Sequence, residues 1–192
     1  MTGSLLLNAF HQSNAALLTY TVGGDPNKET SLEIFREIAQ SGADIIECGL
    51  GHGANIGDGG AIQDGTYRAL SNGIKTDDVF DIIKTLRDEF DTNVIIMTYQ
   101  NKIMSYGEDS FLSKCVESKV AGIICVDWPW PLNLNFAAKC KNNNIDFIQL
   151  LCPTTNEERL KLILNDAHDV VYYISMLSTT GQKLKVSPTE IK

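Results

Sequence analysis

The chain has 192 residues, a formal net charge of −8 and 43% hydrophobic residues, which is the size and composition of one globular domain. That balance excludes a disordered or fibrous chain, and an acidic chain without a basic cluster is a poor match for nucleic acid or an anionic membrane. No apolar run approaches the ~20 residues of a membrane span, and residues 1–11 lack the basic start of a signal peptide, so we expect a cytoplasmic protein.

The predicted elements alternate along the chain. Six apolar runs predict strands, at residues 15–22, 43–50, 94–99, 121–126, 146–151 and 170–175. Most are nearly continuous hydrophobic stretches, as parallel strands covered on both faces are. Apolar residues at helical spacing predict helices at 29–41, 61–73, 76–90 (with Thr76 as N-cap), 109–118, 132–143 and 156–166.

This alternation predicts a parallel α/β sheet. The strand centres recur about every 31 residues, the spacing of a TIM (β/α)8 barrel. Little sequence follows the sixth strand beyond a loop and a helix start near Ser187. We therefore predict one domain over residues 1–192, an incomplete barrel of about six βα units with the last two missing.

An incomplete barrel has two open edges, which the sequence places at residues 15–22 and 170–175. Bare apolar strand edges are templates for pairing with another chain. We expect either a homo-oligomer through these edges, or edges covered by residues 5–10 or by the C-terminal tail.

The five cysteines and three histidines form neither a metal-binding nor a disulfide pattern. The cysteine count is odd and no pair has C-x-x-C spacing, which argues against a disulfide framework or a zinc ribbon. Cys48, Cys125 and Cys152 lie in apolar runs, as buried thiols of a reducing compartment do. We expect no metal.

Glu47 interrupts an apolar run at the C-terminal end of the second predicted strand. Strand alternation places it on one face with Ile45 and Gly49, and places Cys48 on the other. A carboxylate buried there is costly unless it is paired or functional, and parallel α/β folds carry their active sites at this end of the strands. We interpret Glu47 as a functional group; the alternative is a carboxylate paired with a neighbouring cation.

Asp58 lies among glycines in the loop that follows the Glu47 strand. Two acids on one such loop could act as an acid/base pair, although Asp between glycines is also an ordinary turn residue.

Residues 49–54 fit the dinucleotide spacing G-x-G-x-x-A, but that motif must open directly into a helix, and the residues that follow cannot propagate one. We therefore interpret this segment as a flexible loop and disfavour a nucleotide-binding module.

Aromatic residues gather at the same predicted face. Tyr20, Tyr99 and Tyr172 each end a predicted strand, which indicates either a pocket with aromatic walls or packing at the barrel end. Residues 128–131 alternate tryptophan and proline, so they form a rigid apolar loop rather than a helix or central strand. The two tryptophans serve either loop packing or a partner surface.

Several stretches, in order and over nearly the whole chain, resemble the tryptophan synthase alpha subunit family. The similar segments are YTVGGDP at 20–26, SGADIIECG at 41–49, DGGAIQ at 58–63, TYQN at 98–101, SYG at 105–107, VDWP at 126–129, CPTT at 152–155, ER at 158–159, YYIS at 172–175 and TG at 180–181. The family has a TIM barrel, cleaves indole-3-glycerol phosphate by a retro-aldol reaction, and works without a cofactor of its own. It pairs with a beta subunit that carries pyridoxal phosphate (PLP) and receives the indole.

The resemblance also implies roles for particular residues. Glu47 is the acid/base that protonates the indole ring carbon and helps to deprotonate the glycerol hydroxyl. Asp58 holds the indole N–H and stabilises positive charge on it. The substrate pocket is implied to be lined by Tyr20, Ile62, Met97, Tyr99, Ile124 and Tyr172, with Thr180 and Gly181 at the phosphate. Asn101, Asp127, Trp128 and Pro129 lie on the face that the family presents to its beta subunit.

Three departures from the family pattern set the functional expectation. Residues 50–57 lack the prolines, the phenylalanine and the first aspartate of the family's loop, and Met176 replaces an arginine. The last two strands, whose loops bind the substrate phosphate in the family, are absent from the sequence. We expect a protein of tryptophan biosynthesis that binds and activates the beta subunit while its own lyase activity is weak or lost. The alternative is a working indole-3-glycerol phosphate lyase.

Overall fold

The computed structural model describes residues 5–11 and 15–175. Fifteen elements follow one another over these residues: α1 (Leu5–His11), β1 (Leu18–Val22), α2 (Lys28–Gln40), β2 (Ile45–Gly49), α3 (Gly60–Ser71), α4 (Thr76–Glu89), β3 (Asn93–Thr98), α5 (Gln100–Tyr106), α6 (Glu108–Glu117), β4 (Gly122–Cys125), α7 (Leu134–Asn142), β5 (Asp146–Phe147), β6 (Gln149–Leu151), α8 (Glu157–Asp166) and β7 (Val171–Tyr173). Among the helices so described, none is long and apolar enough to cross a membrane.

All strand pairs in the described part are parallel. The first five strands form one sheet in sequence order, and β6 pairs with β7 in a second, two-stranded ladder. This sequential order, with helices between strands, is that of a TIM-type barrel, and the described residues supply five βα units and the strand of a sixth. The predicted parallel α/β barrel is thereby confirmed.

The helices pack on the outer face of the sheet around a core of aromatic and branched side chains. One fully buried phenylalanine comes from each of four helices: Phe35 (α2), Phe80 (α4), Phe111 (α6) and Phe136 (α7). The outward-facing strand residues Ile46 and Cys48 join this cluster. Burial of this apolar surface holds the strand ends, and hence the loops after them, in a fixed relation.

The inner face of the sheet has its own, smaller core, which α1 closes. Leu6 is buried with Ile45, Ile95 and Ile124, and its Cδ1 packs so closely on Gly122 that a Cβ there would lie 2.9 Å away. Residues 5–10, expected to cover a strand edge, thus fold as a helix against the inner face. Within the described strands, β1 and β7 each have a partner on one side only, and homo-oligomer formation through them stays a prediction.

Several predicted boundaries need correction. The predicted strand 146–151 is two short strands, because its first part pairs with β4 and its second part with β7. Thr76 is the first residue of α4 and not its cap; Lys75 is the cap, and its N–H donates to the Asp78 carboxylate (3.0 Å). Helix α8 is capped by Asn156, whose Oδ1 accepts from the Arg159 N–H (2.9 Å).

The inner core generates a first prediction. Leu6→Ala removes a side chain that is 1% exposed and leaves a cavity, so the free energy of unfolding should fall by about 2–4 kcal/mol. Phe10→Ala, on the same helix but 41% exposed in the wild type, is the control and should cost much less. Urea unfolding of the three proteins measures both effects. Equal losses would show that α1 does not depend on Leu6 for its docking.

Candidate functional site

Glu47 lies on β2 with a strand on either side. Its in-register neighbours are Tyr20 on β1 and Ile95 on β3. Ile45, two residues earlier, belongs to the inner core, whereas Cys48 belongs to the outer one, so strand alternation directs Glu47 inward, as predicted. The residue is 6% exposed. Burial, with a smaller contribution from the charge of Asp58, raises its pKa from 4.5 to about 7.

The described residues give no support to the alternative interpretation of Glu47 as one half of a structural ion pair. Among the described residues no lysine, arginine or histidine forms a salt bridge with it. A buried carboxyl without a cation is stable only in its neutral form or with other compensation. Glu47 is therefore poised to carry a proton near neutral pH, which is the property of a general acid/base.

Asp58 comes to the same site from the loop before α3. It is 5% exposed, and its backbone is fixed on both sides, because Asp58 N donates to Asn55 O (3.1 Å) and Asp58 O accepts from Gln63 Nε2 (2.9 Å). Burial raises the pKa of the Asp58 carboxyl, and the side chains of Asn55 and Tyr99 act in the opposite direction. Asp58 thus has polar side chains that favour its charged form, whereas the described part of the chain offers none to Glu47.

The glycine-rich segment 49–54 does not open into a helix. The next helix, α3, begins only at Gly60. The dinucleotide-binding geometry, which needs a helix N-terminus directly after the motif, is therefore absent from this segment. The loop is tied instead to the end of β3, since Gly57 N donates to Tyr99 Oη (3.1 Å) and the His52 ring lies 5.4 Å from that of Tyr99.

The three tyrosines surround the two carboxyl groups. The Tyr20 hydroxyl lies directly over Gly49, where a Cβ would be 2.2 Å from it, so a larger residue at this position would displace the Tyr20 ring from the site. Burial first, and then the negative charges of Asp58 and Glu47, raise the pKa of Tyr20. Burial likewise raises the pKa of Tyr99 to about 12, and that of Tyr172 with a further contribution from Glu47. Each of the three tyrosines is thus close enough to at least one of the two carboxyl groups to respond to its charge.

Apolar side chains complete the wall of the site. Met97 and Ile124 are in register with Gly49 on the next two strands and belong to the inner core. Ile62 is half-buried on the first turn of α3, directly after the Asp58 loop. Thr180 and Gly181, expected at the substrate phosphate, and Met176 lie outside the described residues.

The four residues expected at a partner surface have different environments. Asn101 and Pro129 are exposed. Asp127 is exposed too, but its Oδ1 accepts from Gln100 N (2.7 Å) at the start of α5. Trp128 is 8% exposed and stacks on Phe136 at 5.2 Å, so its ring is a core group and the expectation that it faces a partner needs correction.

Other residues at this face were not foreseen from the sequence. Ile56 and Leu132, on the loops before α3 and α7, are 80% and 73% exposed. The sequence shows Asn55 only as part of a divergent loop, whereas in the structure its side chain borders Asp58. The available signal was its position three residues before Asp58, which is the spacing of a turn.

Within the described residues no group of three or more His, Cys, Asp or Glu side chains is arranged to hold a metal ion.

Comparison with known proteins gives a consistent result. The profile of the family described as tryptophan synthase alpha chain matches residues 6–190. The tryptophan synthase alpha chain of Pelagibacter ubique is 53% identical over 181 residues, which cover 94% of this chain and 68% of that protein. The chain thus spans about two thirds of the length of such relatives.

Solved structures agree with the sequence relatives. A chain of the tryptophan synthase α2β2 complex of Pyrococcus furiosus superposes with a TM-score of 0.81 at 35% identity, covering 91% of this chain and 70% of that one. A chain of Mycobacterium tuberculosis tryptophan synthase gives a TM-score of 0.88 at 26% identity, covering 95% and 72%.

The raised pKa of Glu47 predicts a pH-dependent stability. Folding raises this pKa from 4.5 to about 7, so the stabilisation by the neutral carboxyl is complete below pH 4.5 and is lost as the pH rises through 7. Glu47→Gln keeps the neutral shape at every pH. The free energy of unfolding of the variant, minus that of the wild type, should therefore grow between pH 4.5 and 8 in urea titrations. For the surface variant Glu117→Gln the difference should stay small, and a flat difference for Glu47→Gln would refute the raised pKa.

Proposed function

The chain belongs to the tryptophan synthase alpha chain family, and from that premise we propose that it cleaves indole-3-glycerol phosphate to indole and glyceraldehyde 3-phosphate. The observation that carries the proposal is the pair of buried carboxyl groups, Glu47 and Asp58, in one tyrosine-walled site at the carboxyl ends of parallel strands. The family works in tryptophan biosynthesis.

The proposed chemistry assigns one proton transfer to each stage. Neutral Glu47 donates its proton to the ring carbon that bears the glycerol chain. Asp58, as an anion, accepts a hydrogen bond from the indole N–H and offsets the positive charge on the ring. The Glu47 carboxylate then takes the proton of the adjacent hydroxyl. The carbon–carbon bond breaks, its electron pair returns to the ring, and indole and the aldehyde leave.

The electrostatics of the site support a proton-transfer role for Glu47 and an anionic role for Asp58. A group that first gives and then takes a proton works best when its pKa is near the working pH, and the pKa of Glu47 is raised to about 7. A group that must stay anionic needs donors around it, and Asn55 and Tyr99 act in that sense on Asp58. The predicted weakness of the lyase activity stays a prediction, since the phosphate-binding residues Thr180 and Gly181 are not among the described residues.

We further propose that the chain binds and activates a PLP-dependent beta subunit and carries no cofactor itself. The solved relative from Pyrococcus furiosus is an α2β2 complex. On this chain the exposed apolar side chains of Ile56 and Leu132 are on loops that follow β2 and β4, and the exposed residues Asn101 and Pro129 follow β3 and β4 at the same end of the barrel. Exposed apolar groups with a polar surround are typical of protein interfaces.

Substitution of the acid/base tests the lyase proposal. Glu47→Gln should lower kcat for indole release by about 10²-fold or more, because the amide keeps the shape and cannot transfer the proton. Glu117→Gln makes the same chemical change on the surface and should leave the rate unchanged. The assay is run with and without a beta subunit. Wild-type turnover in Glu47→Gln would overturn the role of Glu47.

Substitution of the exposed apolar residues tests the partner proposal. Ile56→Asp and Leu132→Asp should weaken the complex with a beta subunit and its activation with free indole and serine, since each places a charge in an apolar contact. Val116→Asp, 48% exposed near the C-terminal end of α6, is the control and should bind as the wild type does. A wild-type beta-subunit rate that does not change on titration with this chain, with no complex on a sizing column, would contradict the proposal.

A further inference from the structure

The side chain of Asn55 contains an unusual buried donor. Its amide nitrogen Nδ2 is inaccessible to solvent and has no hydrogen-bond partner within the part of the chain that the structure describes. Such a group loses the free energy of its bonds to water without replacement, so a buried donor left in this state needs an explanation.

The position of this donor is set by the turn that carries Asp58. Asp58 N donates to Asn55 O (3.1 Å), which closes residues 55–58 into a turn, and the Asn55 side chain is close enough to the Asp58 carboxyl to favour its charged form. Tyr99 acts on the same carboxyl from the end of β3, and its hydroxyl also accepts from Gly57 N (3.1 Å). Because that oxygen already accepts one bond, its own proton is free to point toward Asp58.

We propose that Asn55 is a positioning residue for Asp58, and that its buried Nδ2 donor, together with the Tyr99 hydroxyl, holds the Asp58 carboxylate as an anionic acceptor. This inference rests on the proposed function and deepens it. It assigns to the divergent loop a part in the chemistry, in addition to its place at the partner face.

The surroundings of Asp58 make its pKa depend on neutral donors such as Asn55. The other titratable groups that face it are Tyr20 from β1, Glu47 from β2 and Tyr99 from the end of β3. The described residues include no lysine, arginine or histidine in a salt bridge with Asp58. Neutral hydrogen-bond donors must therefore stabilise the Asp58 carboxylate in place of a cation. Among the described residues, Asn55 and Tyr99 are the two side chains that act on it in this way.

A direct titration of Asp58 tests the proposal without any need for turnover. The side-chain carboxyl carbons of all aspartates in the full chain are labelled with 13C. The Asp58 signal is assigned from its loss in Asp58→Asn, and its chemical shift is followed against pH by NMR. Asn55→Leu, which keeps the size and removes the donor, should raise the Asp58 pKa by about half a unit or more. Asn55→Asp, which has the same shape and adds a like charge, should raise it further. Ile56→Ala, in the same loop, should leave it unchanged.

Each outcome decides the question. If Asn55→Leu fails to fold, the smaller Asn55→Ala replaces it, because it also removes the donor and adds no charge. An Asp58 pKa that is the same in wild type and in the folded variants would overturn the proposal even if the lyase proposal holds. Where indole release is measurable, the acidic limb of kcat/KM should move to higher pH in Asn55→Leu. A lower rate with an unmoved limb would show that Asn55 has only a structural role.

Discussion

The burial of the Glu47 carboxyl group at the end of β2 constrains the side chains that can surround it. Glu47 lies between β1 and β3 with no cation beside it among the described residues, so the site must either keep it neutral or supply compensation. The pleat directs it inward, and the close contact of Tyr20 with Gly49 closes the space beside it. The resulting exclusion of water raises the Glu47 pKa into the range where proton transfer at neutral pH is efficient.

The second carboxyl group depends on a different kind of support. Asp58 is held by a loop, and loops position side chains less firmly than strands do. Here the loop is fixed by Tyr99 through Gly57, and by Gln63 through the Asp58 carbonyl. The two acids thus differ in environment: burial raises the pKa of both carboxyl groups, and only at Asp58 do neighbouring side chains among the described residues oppose it. That difference is what a reaction with one proton donor and one anionic acceptor requires.

The barrel class and the position of Glu47 could be predicted because both follow from local periodicity. Continuous apolar runs fix parallel strands, and alternation fixes the face of each residue. Helix α5 was missed, since it has seven residues, buries only Ile103 and begins at Gln100, whose N–H is held by Asp127 from beyond the next strand. The sequence leaves open whether Trp128 packs within the protein or faces a partner for the same reason: its stacking partner Phe136 belongs to a helix after the loop. Contacts between distant segments leave no periodic signal.

The central claim is that Glu47 carries a proton near neutral pH in the folded chain. Infrared difference spectroscopy tests it directly, because a protonated carboxyl has a carbonyl stretch well separated from that of a carboxylate. We predict a band that is present at pH 6, is lost by pH 8.5, and is absent at both pH values from Glu47→Gln. A Glu47 carboxyl already ionised at pH 6, with no band that depends on this residue, would contradict the account.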